Sequence, residues 1–259
     1  MTSTHLWISR PKPNSAARLR LFCVPYAGGG ASIFRGWANE LPPELEVCLI
    51  QLPGRENRLR ETPYRRLLLA AEDLAQVLRP TLDRPFALFG HSMGALIAFE
   101  TARALRRASD RNPACLIVSG RRAPHIPDPD TPLHRLPEAA FVQGVQQRYN
   151  AIPDVILKDA ELMQVFLPTL RADFTMIETY DYAGDHPLDC PIVCFGGRQD
   201  HRTTQATLDA WRDLTRGPFA LRMFPGSHFF LNDQRALFLR ALADELTQCL
   251  TELNGVLRA

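Results

Sequence analysis

The 259-residue sequence predicts an α/β fold, a mostly parallel sheet with helices on both faces and a helical insertion. Three observations carry that reading. Short runs are almost continuously apolar, as strands covered on both faces require. The longer stretches between them repeat apolar residues at helical spacing. One interval breaks the alternation, and a structureless loop of about seventy residues is improbable in a compact domain.

In chain order, residues 1–18 are polar and proline-containing and read as a loose lead-in. Strands follow at Leu19–Val24 and at 47–52. Residues 64–79 place Leu67, Ala71, Leu74 and Leu78 on one helical face. A strand at 86–89 runs into a helix at 95–107, and a further strand lies at 114–118. The long interval holds two helical stretches, 137–150 and 159–180. Strands at 192–195 and Phe219–Phe224 follow, and a last helix at 234–253 aligns Leu239, Leu242, Leu246 and Leu250. The expectation is one domain over 1–259, with 121–185 as a helical lid; a second small domain is the alternative for that segment.

Composition narrows the function. With 46% hydrophobic and 22% charged residues the chain is globular rather than disordered. Thirty basic against 28 acidic residues leave +2, too little field to attract nucleic acid. Lys12 and Lys158 are the only lysines, so the other basic residues are arginine. Cys23, Cys48, Cys115, Cys190, Cys194 and Cys249 form no C-x-x-C pair and several lie in apolar runs. They read as buried free thiols. Without an apolar leader or membrane span, the expectation is a cytoplasmic protein; a monomer is expected as well.

The strand at 86–89 leads into Gly90-His91-Ser92-Met93-Gly94 and then a helix. That is the setting of a nucleophile elbow, in which a sharp turn lifts the Ser92 hydroxyl above the sheet. A serine hydroxyl needs a base. In this arrangement the acid and then the histidine follow in the chain. Gly196-Gly197-Arg198-Gln199-Asp200 follows one strand and Pro225-Gly226-Ser227-His228 the next. His228 would take the Ser92 proton, and Asp200 would fix the imidazole tautomer. Asp185, Asp189, Asp128 and Asp130 remain alternative acids. The Met93 amide and the loop Pro25-Tyr26-Ala27-Gly28-Gly29-Gly30, through Tyr26 or Ala27, would supply oxyanion donors. That loop has neither G-x-G-x-x-G nor G-K-[ST], which argues against nucleotide binding. His91 reads as structural and His201 as solvent-facing. The histidines show no ligand spacing, so no metal is expected.

Taken together, these segments resemble the stand-alone type II thioesterases of polyketide and non-ribosomal peptide synthetases. The resemblance runs through Cys23-Val24-Pro25-Tyr26-Ala27-Gly28-Gly29-Gly30, Gln51-Leu52-Pro53-Gly54-Arg55-Glu56 and the elbow. It continues through Ser119-Gly120-Arg121-Arg122-Ala123-Pro124, Leu170-Arg171-Ala172-Asp173-Phe174 and the Asp200 and His228 segments. Tyr26 stands where the family often has histidine. The resemblance implies an α/β-hydrolase fold and the triad Ser92, Asp200 and His228. It also implies hydrolysis of acyl groups from the phosphopantetheine arm of an acyl or peptidyl carrier protein acting in trans, with no cofactor of the enzyme's own. A carboxylesterase or lipase, an acyltransferase and a non-catalytic interaction module are the competing functions. Arg55, Arg58 and Arg60 after the second strand, and Arg121 and Arg122 at the insertion, would dock an acidic carrier. The alternative is a solvated surface or, for Arg55, an internal ion pair with Glu56 or a lid residue. Phe166, Leu170, Phe174 and Ile177 share one helical face, beside Met163 and Met176. That face either selects acyl chains or packs as core.

Overall fold

Interior strands send alternate side chains into two apolar layers, which is why they read as unbroken apolar runs. The computed structural model describes residues 4–109 and 111–256. The strands β1 (Ile8–Ser9), β2 (Leu19–Val24), β3 (Leu45–Ile50), β4 (Phe86–His91), β5 (Cys115–Ser119), β6 (Ile192–Gly197) and β7 (Phe219–Phe224) form one sheet. Their spatial order is β1-β3-β2-β4-β5-β6-β7. β1 pairs antiparallel with β3, and every other pairing is parallel. Along β2, Phe22 and Val24 enter one layer while Leu19, Leu21 and Cys23 enter the other.

The helices are α1 (Thr4–Trp7), α2 (Trp37–Glu40), α3 (Leu67–Leu78), α4 (Met93–Ser109), α5 (Glu138–Tyr149), α6 (Asp154–Leu157), α7 (Ala160–Glu178), α8 (Gln205–Asp209), α9 (Phe230–Asp233) and α10 (Arg235–Val256). α3, α4 and α8 cover one face of the sheet through Leu74, Leu96, Phe99 and Leu208. α2 and α10 cover the other through Trp37, Phe238, Leu242 and Leu246. The expected strands and long helices are present with ends moved by a few residues. The lead-in is the exception, because β1 and the buried Trp7 lie within it. Two paired residues are too short a stretch to leave a periodic signal.

Between β5 and β6, α5 and α7 with their connecting segments build a third, smaller apolar cluster from Leu133, Phe141, Val145, Ile152, Leu167, Leu170 and Phe174. Ala27 packs against it. The Asp159 carboxylate caps α7 by accepting from the amides of Glu161 and Leu162. Pro168 lies inside the same helix and takes one amide out of its ladder. The insertion is tied down at both ends. On entry, Arg122 donates to the carbonyls of Pro127 and Arg202, each at 2.9 Å. On exit, the Tyr180 hydroxyl donates to buried Glu100 at 2.6 Å, and Arg103 bridges Glu100 to the Ala183 carbonyl. No helix among the described residues is long and apolar enough to cross a membrane.

Because β2, β4, β6 and β7 run parallel, the loops after them gather at one end of the sheet. Open α/β sheets build their sites there.

Candidate active site

Ser92 has φ +54° at the junction of β4 and α4, a strained setting for a residue with a side chain. The surroundings hold it there. Its amide donates to the Ser119 carbonyl at 2.7 Å. A Cβ on Gly90 would run into the Gly94 carbonyl, and one on Gly94 into the Val24 carbonyl. Only glycine permits so tight a turn. α4 begins at Met93, so the Met93 amide belongs to the orphan donors at the positive end of a 17-residue helix.

The loops after β6 and β7 bring Asp200 and His228 together. His228 Nδ1 lies 2.7 Å from Asp200 Oδ2, and both residues are buried. Thr203 Oγ1 donates to the same oxygen at 2.7 Å, and the Arg202 amide donates to Oδ1 at 3.0 Å. Burial alone would raise the Asp200 pKa; the bonds from His228, Thr203 and Arg202 outweigh it and hold the carboxyl below its ordinary range. An ionised Asp200 fixes the proton on Nδ1 and leaves Nε2 as the acceptor. The other acids are engaged elsewhere. Asp185 meets Arg106 at 2.9 Å, Asp189 meets Arg216 at 3.5 Å, and Asp128 and Asp130 both pair with Arg202.

Ser92 and His228 line one cavity of about 20 Å³, with Tyr26, Ala27, Tyr149, Phe174 and Arg121 on its other walls. That is room for about one water. The Ala27 amide makes no hydrogen bond among the described residues, and Ala27 lines this cavity. His91 is fully buried, with Nδ1 2.9 Å from the Ser119 hydroxyl and its ring 5.1 Å from that of His228. Burial drives its pKa well down, so it is neutral. His201 is exposed.

Two larger spaces flank the catalytic cavity and share wall residues with it. One, of about 470 Å³, is lined by Arg121, Arg122, Tyr149, Glu178 and Arg202. The other, of about 390 Å³, is a more apolar groove between the Tyr26–Gly30 loop and Ile156, Leu162, Val165 and Phe166. The aromatic face of α7 divides between them. Phe174 and Ile177 line the catalytic cavity, Phe166 lines the groove, and Leu170 is buried in the cluster of the insertion. Phe174 is both cavity wall and core, so the two readings of that face are not exclusive.

The docking reading of the arginines needs correction. Arg55 is buried and forms a bidentate pair with Asp173 on α7, at 2.7 and 2.9 Å. Arg58 is buried, pairs with Glu61 and stacks over Trp7 at 4.5 Å. Arg122 is buried against backbone carbonyls. Arg121 faces the catalytic cavity, and its guanidinium has no ion pair or hydrogen bond among the described residues. Of the five, Arg60 alone is exposed. Guanidinium groups bound inside the fold are not available to a partner's surface. Tyr149 was not anticipated: its ring lies 5.3 Å from His228 and 5.7 Å from Phe174. A tyrosine ending an amphipathic helix gives no sequence signal of that role.

The Thioesterase domain family matches residues 19–246. "Gramicidin S biosynthesis protein GrsT" of Aneurinibacillus migulanus is 46% identical over 246 residues, 95% of this chain and 96% of that protein. "Thioesterase PikA5" of Streptomyces venezuelae is 39% identical over 244 residues, 93% of this chain and 85% of that protein. The structure of the type II thioesterase BorB from the borrelidin biosynthetic cluster superposes with a TM-score of 0.83 at 34% identity, covering 93% of this chain and 97% of that one. RedJ, a thioesterase from the prodiginine pathway of Streptomyces coelicolor, gives 0.82 at 41% identity, covering 91% of each chain. The chain belongs to the thioesterase domain family, among its type II thioesterases, on an α/β-hydrolase fold.

Proposed function

We propose that the protein hydrolyses acyl groups from the phosphopantetheine arm of an acyl or peptidyl carrier protein in trans, clearing stalled or wrongly loaded carriers. One observation carries the reading: Ser92 and His228 share a cavity set between a polar space and an apolar groove. A thioester on a pantetheine arm has two such halves, an amide-bearing arm and an acyl chain, with the reacting carbonyl between them. The pathway names of GrsT, BorB and RedJ support a carrier-bound substrate.

Ser92 Oγ attacks the thioester carbonyl while His228 Nε2 takes its proton. The carbonyl π electrons move onto oxygen, and the amides of Ala27 and Met93 receive the resulting oxyanion. The tetrahedral adduct collapses, the C–S bond breaks, and the pantetheine thiol leaves. With a thiol pKa near about 8.5, departure needs little help from the acid form of His228. Water then repeats the sequence on the acyl-enzyme and releases the carboxylic acid.

The test is a panel of acyl-carrier and acyl-pantetheine thioesters beside the matching oxygen esters, with products identified by intact mass. Higher kcat/KM on thioesters, lost in Ser92→Ala, is expected. Preference for oxygen esters would make the protein an esterase, and transfer to an added alcohol or amine in place of water would make it an acyltransferase.

A further inference from the structure

The loop that carries the Ala27 amide is not held by its own turn alone. Its Gly29 amide bonds back to the Tyr26 carbonyl at 2.9 Å, but its Gly28 amide and Gly29 carbonyl reach to distant parts of the chain. The Gly28 amide donates to Asp173 Oδ2 at 2.7 Å, across 145 residues of sequence. The Gly29 carbonyl accepts from Arg55 Nη1 at 2.9 Å. Arg55 in turn grips Asp173 through both terminal guanidinium nitrogens, Nη1 and Nη2. Asp173 is completely buried and Arg55 nearly so. Each charge therefore has its partner and further bonds from the backbone, the condition under which a buried ion pair is tolerated. Gly28 has φ +75°, a left-handed backbone conformation that glycine adopts without strain. Among the described residues, Asp173 is the acceptor of its amide and so fixes the Ala27–Gly28 peptide. The preceding Tyr26–Ala27 peptide, which carries the Ala27 N–H, is held through the Tyr26 carbonyl by Gly29, whose own carbonyl Arg55 grips. The adjoining residue is Ala27, which lines the cavity with Ser92 and His228.

We infer that Asp173 and Arg55 are positioning residues for the oxyanion hole, making helix α7 of the insertion a fixed part of the catalytic apparatus rather than a detachable cover. Whatever moves to admit substrate is then the part of the insertion before this clasp, α5 and α6 with their connections, including the Tyr149 wall. The inference rests on the hydrolytic reading above and deepens it. It states how one donor of the oxyanion is aimed, and by which groups far away in sequence.

The test compares wild type with Asp173→Asn and Arg55→Lys. Where either is too unstable to assay, the paired Arg55→Met, Asp173→Leu variant serves, since it leaves no lone buried charge. Two acyl-pantetheine analogues are titrated. The trifluoromethyl ketone adds Ser92 Oγ to its carbonyl, gives the serine proton to His228 and places an alkoxide in the hole. The thioether lacks that carbonyl and reports ground-state binding alone. Removing an oxyanion donor outright costs about 10²–10³ in kcat, so a mis-aimed one should cost about 10–100-fold. The expected result is that loss in kcat with KM little changed. Affinity for the ketone should fall by the same factor, and affinity for the thioether should be unchanged.

Unchanged kcat in folded variants, or equal losses on ketone and thioether, overturns the inference. Labelling of Ser92 by a fluorophosphonate separates the two levels of argument. If wild type labels but cleaves no thioester, the proposed substrate is wrong, while slower labelling of Asp173→Asn still supports the clasp. Equal labelling rates overturn the clasp whatever the substrate.

Discussion

In the proposed mechanism Ser92 and Asp200 act on different parts of the reaction, and their replacements should differ accordingly. Ser92→Ala removes the nucleophile, so hydrolysis should fall by several orders of magnitude with melting temperature nearly unchanged. Asp200→Asn leaves the nucleophile but offers His228 Nδ1 an N–H in place of an acceptor. The imidazole then carries its proton on Nε2, facing Ser92, and kcat should fall on the order of 10³–10⁴-fold. A mild effect in steady-state kinetics would mean that another group holds the tautomer. The depressed pKa of Asp200 also sets a sign. Its stabilisation is present above the unfolded carboxylate value of about 3.9, and is lost only as pH falls through the lower folded value. The acid limb of kcat/KM should therefore show no step from Asp200 above about pH 4. Arg121 yields a third expectation. Arg121 lines the space beside Ser92, which under the proposed function both carrier-bound and free acyl-pantetheine enter. Arg121→Gln should therefore raise KM for both to a similar extent. A rise confined to the carrier-bound substrate would return Arg121 to the carrier interface.

At the level of elements, the insertion shows where sequence reading reaches its limit. Its helices were legible because apolar residues recur at helical spacing, and Asp159 marks a start that the structure confirms as a cap. The strand–turn–helix around Ser92 was legible because Gly90 and Gly94 answer a local steric demand. The partnership of Arg55 with Asp173 spans 118 residues and has no period, so sequence left it as one alternative among several. The same holds for Phe174, whose ring meets Phe141 at 5.5 Å and Tyr149 at 5.7 Å while also facing the catalytic cavity. Phe174→Ala should therefore do two things at once. It should lower stability by roughly 3 kcal/mol, as truncation of a buried phenylalanine does. It should also move the preferred acyl chain toward longer or bulkier groups, because the wall beside Ser92 recedes. Denaturant titration and kcat/KM across a chain-length series read the two effects separately. An unchanged chain-length profile would leave Phe174 as core alone.

For the molecule as a whole, the two apolar layers on either side of the sheet decide what the six cysteines can do. Cys48, Cys190 and Cys194 lie in one layer, and Cys23, Cys115 and Cys249 in the other. All six are free and buried. Burial away from water disfavours the thiolate and pushes Cys48 and Cys190 up to about 12, with Cys23 and Cys194 also driven well above their ordinary value. The thiolate is the reactive form, and access is its second requirement. Both are withheld by the packing that makes the sheet strands continuous apolar runs. At pH 8 a disulfide reagent that releases a coloured thiolate should therefore titrate no thiol in the native protein, and all six once guanidinium unfolds it. Hydrolysis should survive prolonged exposure to the reagent, since Ser92 and His228 stand at the strand ends, outside both layers. Rapid native labelling, or inactivation in step with one labelled thiol, would show that one of the layers opens in solution on the timescale of the assay.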